Sequence, residues 1–91
     1  MSRPAPYVKN LHMESRRKTV HLDLRGIKCP LNWAHAKVRL EQMNRGDILE
    51  LILDDPRGAR DIPRAVEAEG YVMLESIRTQ NDGLFRLRIE K

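Results

Sequence analysis

Ninety-one residues, 41% of them hydrophobic and 33% charged, describe one small globular domain and exclude both a disordered chain and a membrane span, which needs an apolar run of about 18–20 residues. The formal charge of +4 is gathered at one end: residues 1–18 hold Arg3, Lys9, Arg16, Arg17 and Lys18 against Glu14 alone, and the charges of residues 19–91 cancel. A single cysteine excludes an internal disulfide, and the scattered His12, His21 and His35 lack the spacing of a zinc site, so neither a metal nor another cofactor is expected.

Taken in chain order, residues 1–18 are polar, carry Pro4 and Pro6 and show no helical or strand period, which predicts a basic, disordered tail. Such a tail is either a solvated leader or an arm for an acidic protein or RNA. It contains no continuous apolar stretch of the secretory kind, and the domain at 19–91 reads as cytoplasmic. In Thr19–Leu24, Val20, Leu22 and Leu24 alternate with polar residues, the pattern of a half-buried strand. Gly26 permits a turn. Pro30 suits the first position of a helix, because its missing N–H is not needed there, and this would make Cys29 the cap. Trp33, Ala36, Leu40 and Met43 then share one helical face, and the helix should stop near Asn44.

The apolar run Ile48–Leu53 predicts an interior strand, closed by Asp54, Asp55 and Pro56. A second helix is expected within 57–69, with Ala59, Ile62 and Val66 inward, Pro63 in its first turn or at a kink, and Gly70 as its left-handed stop. Strands at 71–78 and 84–90 flank the turn signal Asn81-Asp82-Gly83 and predict a hairpin. The order is βαβαββ. Right-handed crossovers make the helix-linked strands parallel and the hairpin antiparallel, so a mixed four-stranded sheet with two helices on one face follows: an α+β two-layer α/β sandwich.

Cys29 is the candidate reactive group. At a helix start it would meet free backbone N–H groups and partial positive charge, with Arg25 and Lys28 adding more, and all of these favour a thiolate. A free thiol ionises near pH 8.5, and the helix dipole alone, about 0.3–1 kcal/mol, moves that by less than one unit. With no second cysteine to resolve it, the thiolate cannot run a dithiol cycle, but it can accept a sulfur atom from a donor persulfide and pass it on. The competing reading is a buried structural cysteine.

LDLRGIKCPLN at residues 22–32, Arg45-Gly46-Asp47 and DDPRGARDIPRAVEAEGY at residues 54–71 resemble the TusA/SirA-like sulfur-carrier family over residues 20–90. The resemblance implies a βαβαββ sandwich and a sulfurtransferase acting as a persulfide carrier. Its cysteine would take sulfur from a cysteine desulfurase or other persulfide donor and hand it to a downstream acceptor protein serving tRNA thiolation, sulfur oxidation or cofactor synthesis. Cys29 and Pro30 carry over. The family's usual Cys-Pro-x-Pro ends in Asn32 here. As the third helical residue, Asn32 would keep a backbone N–H that a proline lacks and offer it to the sulfur. Arg25, Gly26, Lys28, Pro30 and Asn32 are thus the residues expected to shape the site. Asp55 and Asp61, each just ahead of a proline-containing segment, read as helix-start residues, and Arg60 carries over only weakly. The alternative function is an RNA- or protein-binding regulatory adaptor in which Cys29 is not chemically required. Tyr7, Trp33, Tyr71 and Phe85 are too few aromatics for a stacking platform, which argues against direct nucleic-acid binding.

Overall fold

A computed structural model describes residues 18–79 and 82–91. The expected tail up to Arg17, and Asn81 of the expected turn, lie outside the described residues. The chain runs β1 (Thr19–Asp23), α1 (Leu31–Gln42), β2 (Ile48–Leu53), α2 (Pro56–Ala68), β3 (Val72–Arg78) and β4 (Phe85–Glu90). β1 pairs parallel with β2, while β4 pairs antiparallel with both β2 and β3, giving the order β1-β2-β4-β3. This is the expected mixed sheet of an α+β fold.

Alternation along the strands sorts the side chains. Leu49, Leu51 and Leu53 of β2 and Leu87 and Ile89 of β4 are buried with Ala36 and Leu40 of α1 and Ile62 and Val66 of α2 in one core. Each buried Leu, Ile or Val side chain contributes about 1.5–3 kcal/mol of transfer free energy. On the other face Glu50 faces Arg86 (3.3 Å) and Arg88 (3.9 Å) across the β2–β4 pair. Both helices therefore cover the same side. Gly70, at φ 89°, stops α2 as expected, and the Tyr71 N–H turns back to the Val66 carbonyl (3.0 Å).

The helix starts match the sequence-based expectation at Asp55 and differ from it at Cys29 and Asp61. α1 begins at Leu31, with Pro30 as its N-cap residue, so Cys29 precedes the cap instead of forming it and Asn32 is the second helical residue. α2 begins at Pro56 with Asp55 as its N-cap, whose carboxylate accepts the Arg57 N–H at 3.0 Å. Asp61 therefore does not start a helix, and Pro63 lies well inside one. Asp55-Pro56 supplies both a cap acceptor and a fixed φ, which outweighs the one hydrogen-bond donor that Pro63 lacks downstream.

Among the described residues three polar side chains are buried: Asn32, Asp47 and Asp55. Asp47 secures the α1–β2 junction, accepting the backbone N–H groups of Lys18 (3.3 Å) and Asn44 (3.2 Å). The other two meet at the Cys29 loop.

Candidate functional site

The loop joining β1 to α1 carries Cys29 at the end of the sheet where β2 gives way to α2. Gly26, at φ 83°, adopts the left-handed conformation that glycine takes without a Cβ clash. Its N–H reaches both carboxylate oxygens of Asp54 at 3.0 Å. Three residues on, the Cys29 N–H donates to Asp55 at 2.8 Å. Two consecutive carboxylates at the end of β2 thus hold the cysteine loop by its backbone. Asp55 serves two elements at once, since its other oxygen caps α2. The bonds from the Cys29 and Arg57 amides, together with the charges of Lys28 and Arg57, hold its carboxyl below the usual carboxylate range despite burial.

Cys29 is half-buried and unpaired. Leu31, two residues later, is 61% exposed. With Leu22, Ala34 and Val38 it lines an open groove between α1 and the edge strand β1.

Two electrostatic expectations change, and one cation is added. The Arg25 guanidinium turns to Asp23, with Nη2 2.6 Å from a carboxylate oxygen, and this hydrogen-bonded pairing lowers the Asp23 pKa to about 2. Its charge is thus engaged chiefly by Asp23, with Asp54 also in electrostatic reach. Arg60 lies in electrostatic reach of Cys29 and also pairs with Asp61 at 2.9 Å. Finally, the amides of Asn32, Trp33 and Ala34 in the first turn of α1 are not offered to the sulfur. The Asn32 N–H donates to the Lys28 carbonyl (3.1 Å), the Trp33 N–H to Asn32 Oδ1 (2.7 Å) and the Ala34 N–H to the Pro30 carbonyl (3.1 Å). The extra hydrogen bond expected from the Asn32 backbone to the sulfur is not made, because the chain closes these donors onto itself. Lys28 and Pro30 are exposed on either side of Cys29.

Asp54, Asp55 and Gly58 are the residues at the loop that sequence reasoning missed or read as merely local. Gly58 had a signal: with Ile62 and Val66 it forms an i, i+4, i+8 row on the buried face of α2, where a glycine marks close approach. The described aromatics Trp33, Tyr71 and Phe85 pack against the core. Among the described residues no group of acidic, His or Cys side chains could hold a metal ion, and no helix is long and apolar enough to cross a membrane.

The fold defines a small α+β domain that presents one thiol on the loop between its first strand and first helix. The sequence model of the family described as Sulfurtransferase TusA matches residues 20–91, and the chain belongs to that family. Among its relatives is the "Sulfur carrier protein TusA" of Allochromatium vinosum, 33% identical over 70 residues, 77% of this chain and 90% of that one. A protein of Archaeoglobus fulgidus named "Putative sulfur carrier protein" is 45% identical over 53 residues, which span 58% of this chain and 60% of the relative. The crystal structure of a SirA-like protein from Desulfitobacterium hafniense superposes with a TM-score of 0.67 at 22% identity, covering 80% of this chain and 95% of that one, and so shares the fold. These findings support a sulfur-carrier role.

Proposed function

We propose that the chain carries sulfur as a persulfide on Cys29, taking it in the cytoplasm from a persulfide donor such as a cysteine desulfurase and passing it to a downstream acceptor protein. The observation that carries this reading is the lone, half-buried thiol on a loop clamped by Asp54 and Asp55, within the region that matches the family. In the loading step the Cys29 thiolate attacks the terminal sulfur of the donor's persulfide. A new S–S bond forms at Cys29, the donor's S–S bond breaks, and the donor leaves as a thiolate that takes up the proton Cys29 released. No external oxidant or reductant is consumed, and transfer to the acceptor repeats the exchange in the other direction. The burial of Trp33, Tyr71 and Phe85 against the core favours protein partners over stacked bases.

The test is incubation with a cysteine desulfurase and cysteine, followed by intact-mass spectrometry without reductant. Wild type should gain the mass of one sulfur atom, removable by a thiol reductant, and Cys29→Ser should gain none. Equal labelling of Cys29→Ser would place the sulfur elsewhere and refute the assignment.

A further inference from the structure

α1 buries three residues in a row at i, i+4, i+8: Asn32, Ala36 and Leu40. The second and third are apolar, as a core-facing row requires, but the first is a carboxamide with no exposed surface. A buried amide is costly unless it is hydrogen-bonded, so the use of its two ends matters. Oδ1 accepts the Trp33 N–H at 2.7 Å, which fixes the orientation of the group, and Nδ2 consequently faces the Ile27 carbonyl at 3.4 Å. Residues 27 and 33 bracket the Cys29 turn. From the other side the carboxamide meets α2 at Gly58, where an added Cβ would collide with Nδ2 and stand only 3.2 Å from Cγ. Gly58 is thus the space in which Asn32 fits.

We propose that Asn32 is a positioning residue for Cys29: its carboxamide, seated against Gly58, spans the two ends of the cysteine turn and keeps the thiol in the one orientation that takes up sulfur. This rests on Cys29 being the sulfur-carrying thiol. Asp55 holds the middle of the turn through the Cys29 N–H, and Asn32 holds its flanks. With the flanks released, the turn samples several conformers, and sulfur uptake falls by the fraction of time spent in the competent one. A competent population of about one tenth lowers uptake about tenfold.

Three variants separate positioning from space-filling: Asn32→Ala, Gly58→Ala, and the double variant Asn32→Ala with Gly58→Ala, in which the Cβ at 58 refills part of the vacated volume. Each is assayed for melting temperature, for the rate of sulfur uptake from a cysteine desulfurase, and for the Cys29 χ1 distribution from NMR scalar couplings. Wild type should show a single χ1 rotamer. Asn32→Ala and Gly58→Ala should show averaged couplings and uptake slowed about tenfold. The double variant should recover melting temperature relative to the single variants but neither the rotamer nor the uptake. If Asn32→Ala does not fold, the double variant decides the matter. A single χ1 rotamer with uptake within about twofold of wild type, in any folded variant lacking Asn32, would overturn the inference. Failure of wild type to take up sulfur would overturn the carrier reading instead, and the χ1 couplings, which need no donor, would still decide the role of Asn32.

Discussion

Leu53 is the residue on which the acidic clamp stands. It is fully buried, ends β2 immediately before Asp54 and Asp55, and its Cδ1 lies 3.4 Å from where a Cβ at Gly58 would be. Leu53→Ala removes apolar contact and leaves a cavity, a combination that costs about 2–5 kcal/mol. One kcal/mol shifts the melting temperature of a domain this size by about 4–8 °C, so a loss near 3 kcal/mol predicts a fall of about 12–24 °C. Ile89→Ala is the control. Ile89 is equally buried but pairs with Leu49 and Met73, away from the cysteine loop. Both variants should melt early by circular dichroism. At a temperature well below both transitions, however, only Leu53→Ala should take up sulfur more slowly, because only there does the cavity open beneath Asp54, Asp55 and Gly58. Equal uptake by the two variants, or a melting temperature for Leu53→Ala within about 4 °C of wild type, would refute this reasoning.

Two further outcomes are expected. The Asp55 carboxyl titrates lower in the folded chain than the ordinary value of about 3.9, so its stabilisation is complete above that pH and disappears as pH falls through the folded value. The melting-temperature gap between wild type and Asp55→Asn should therefore be largest at neutral pH and close below about pH 4, and a gap constant down to pH 2 would contradict it. Arg60→Gln should slow alkylation of Cys29 by anionic iodoacetate more than by neutral iodoacetamide at low salt, since Arg60 lies in electrostatic reach of the thiol. An unchanged ratio of the two rates would remove Arg60 from the site, and any real difference should fade near 1 M salt, where the screening length is about 3 Å.

What the sequence could show depended on how far apart the interacting residues lie. The alternation of Val20, Leu22 and Leu24 and the Ala36-Leu40-Met43 stripe are local periodicities, and each led to the right element. Pro30 is compatible with either of the first two places at a helix start, and the structure puts it one place earlier than its most favourable use predicts. Asp55 and Asp61 both read as start residues for α2, and the structure uses Asp55, where Pro56 follows directly with its fixed φ. The bonds that shape the site were illegible for a different reason. A carboxylate 26 residues from the amide it accepts leaves no periodic trace, and Asn32 stands out only for its backbone N–H in place of a proline, while the role of its side chain stays hidden until Gly58 is seen opposite it.

The span of those clamping bonds also bears on how the protein comes into being. Asp54 reaches Gly26 across 28 residues and Asp55 reaches Cys29 across 26, so neither bond can form until β2 has paired with β1 and the start of α2 is in place. Closing such loops is an entropic cost met before the contacts reward it, which sets the ordering of the cysteine turn late among folding events. A nascent or partly unfolded chain thus offers a thiol without the clamp that presents it. The kinetics with which Cys29 acquires its native reactivity during refolding should accordingly follow the burial of the core and not the earlier appearance of helix.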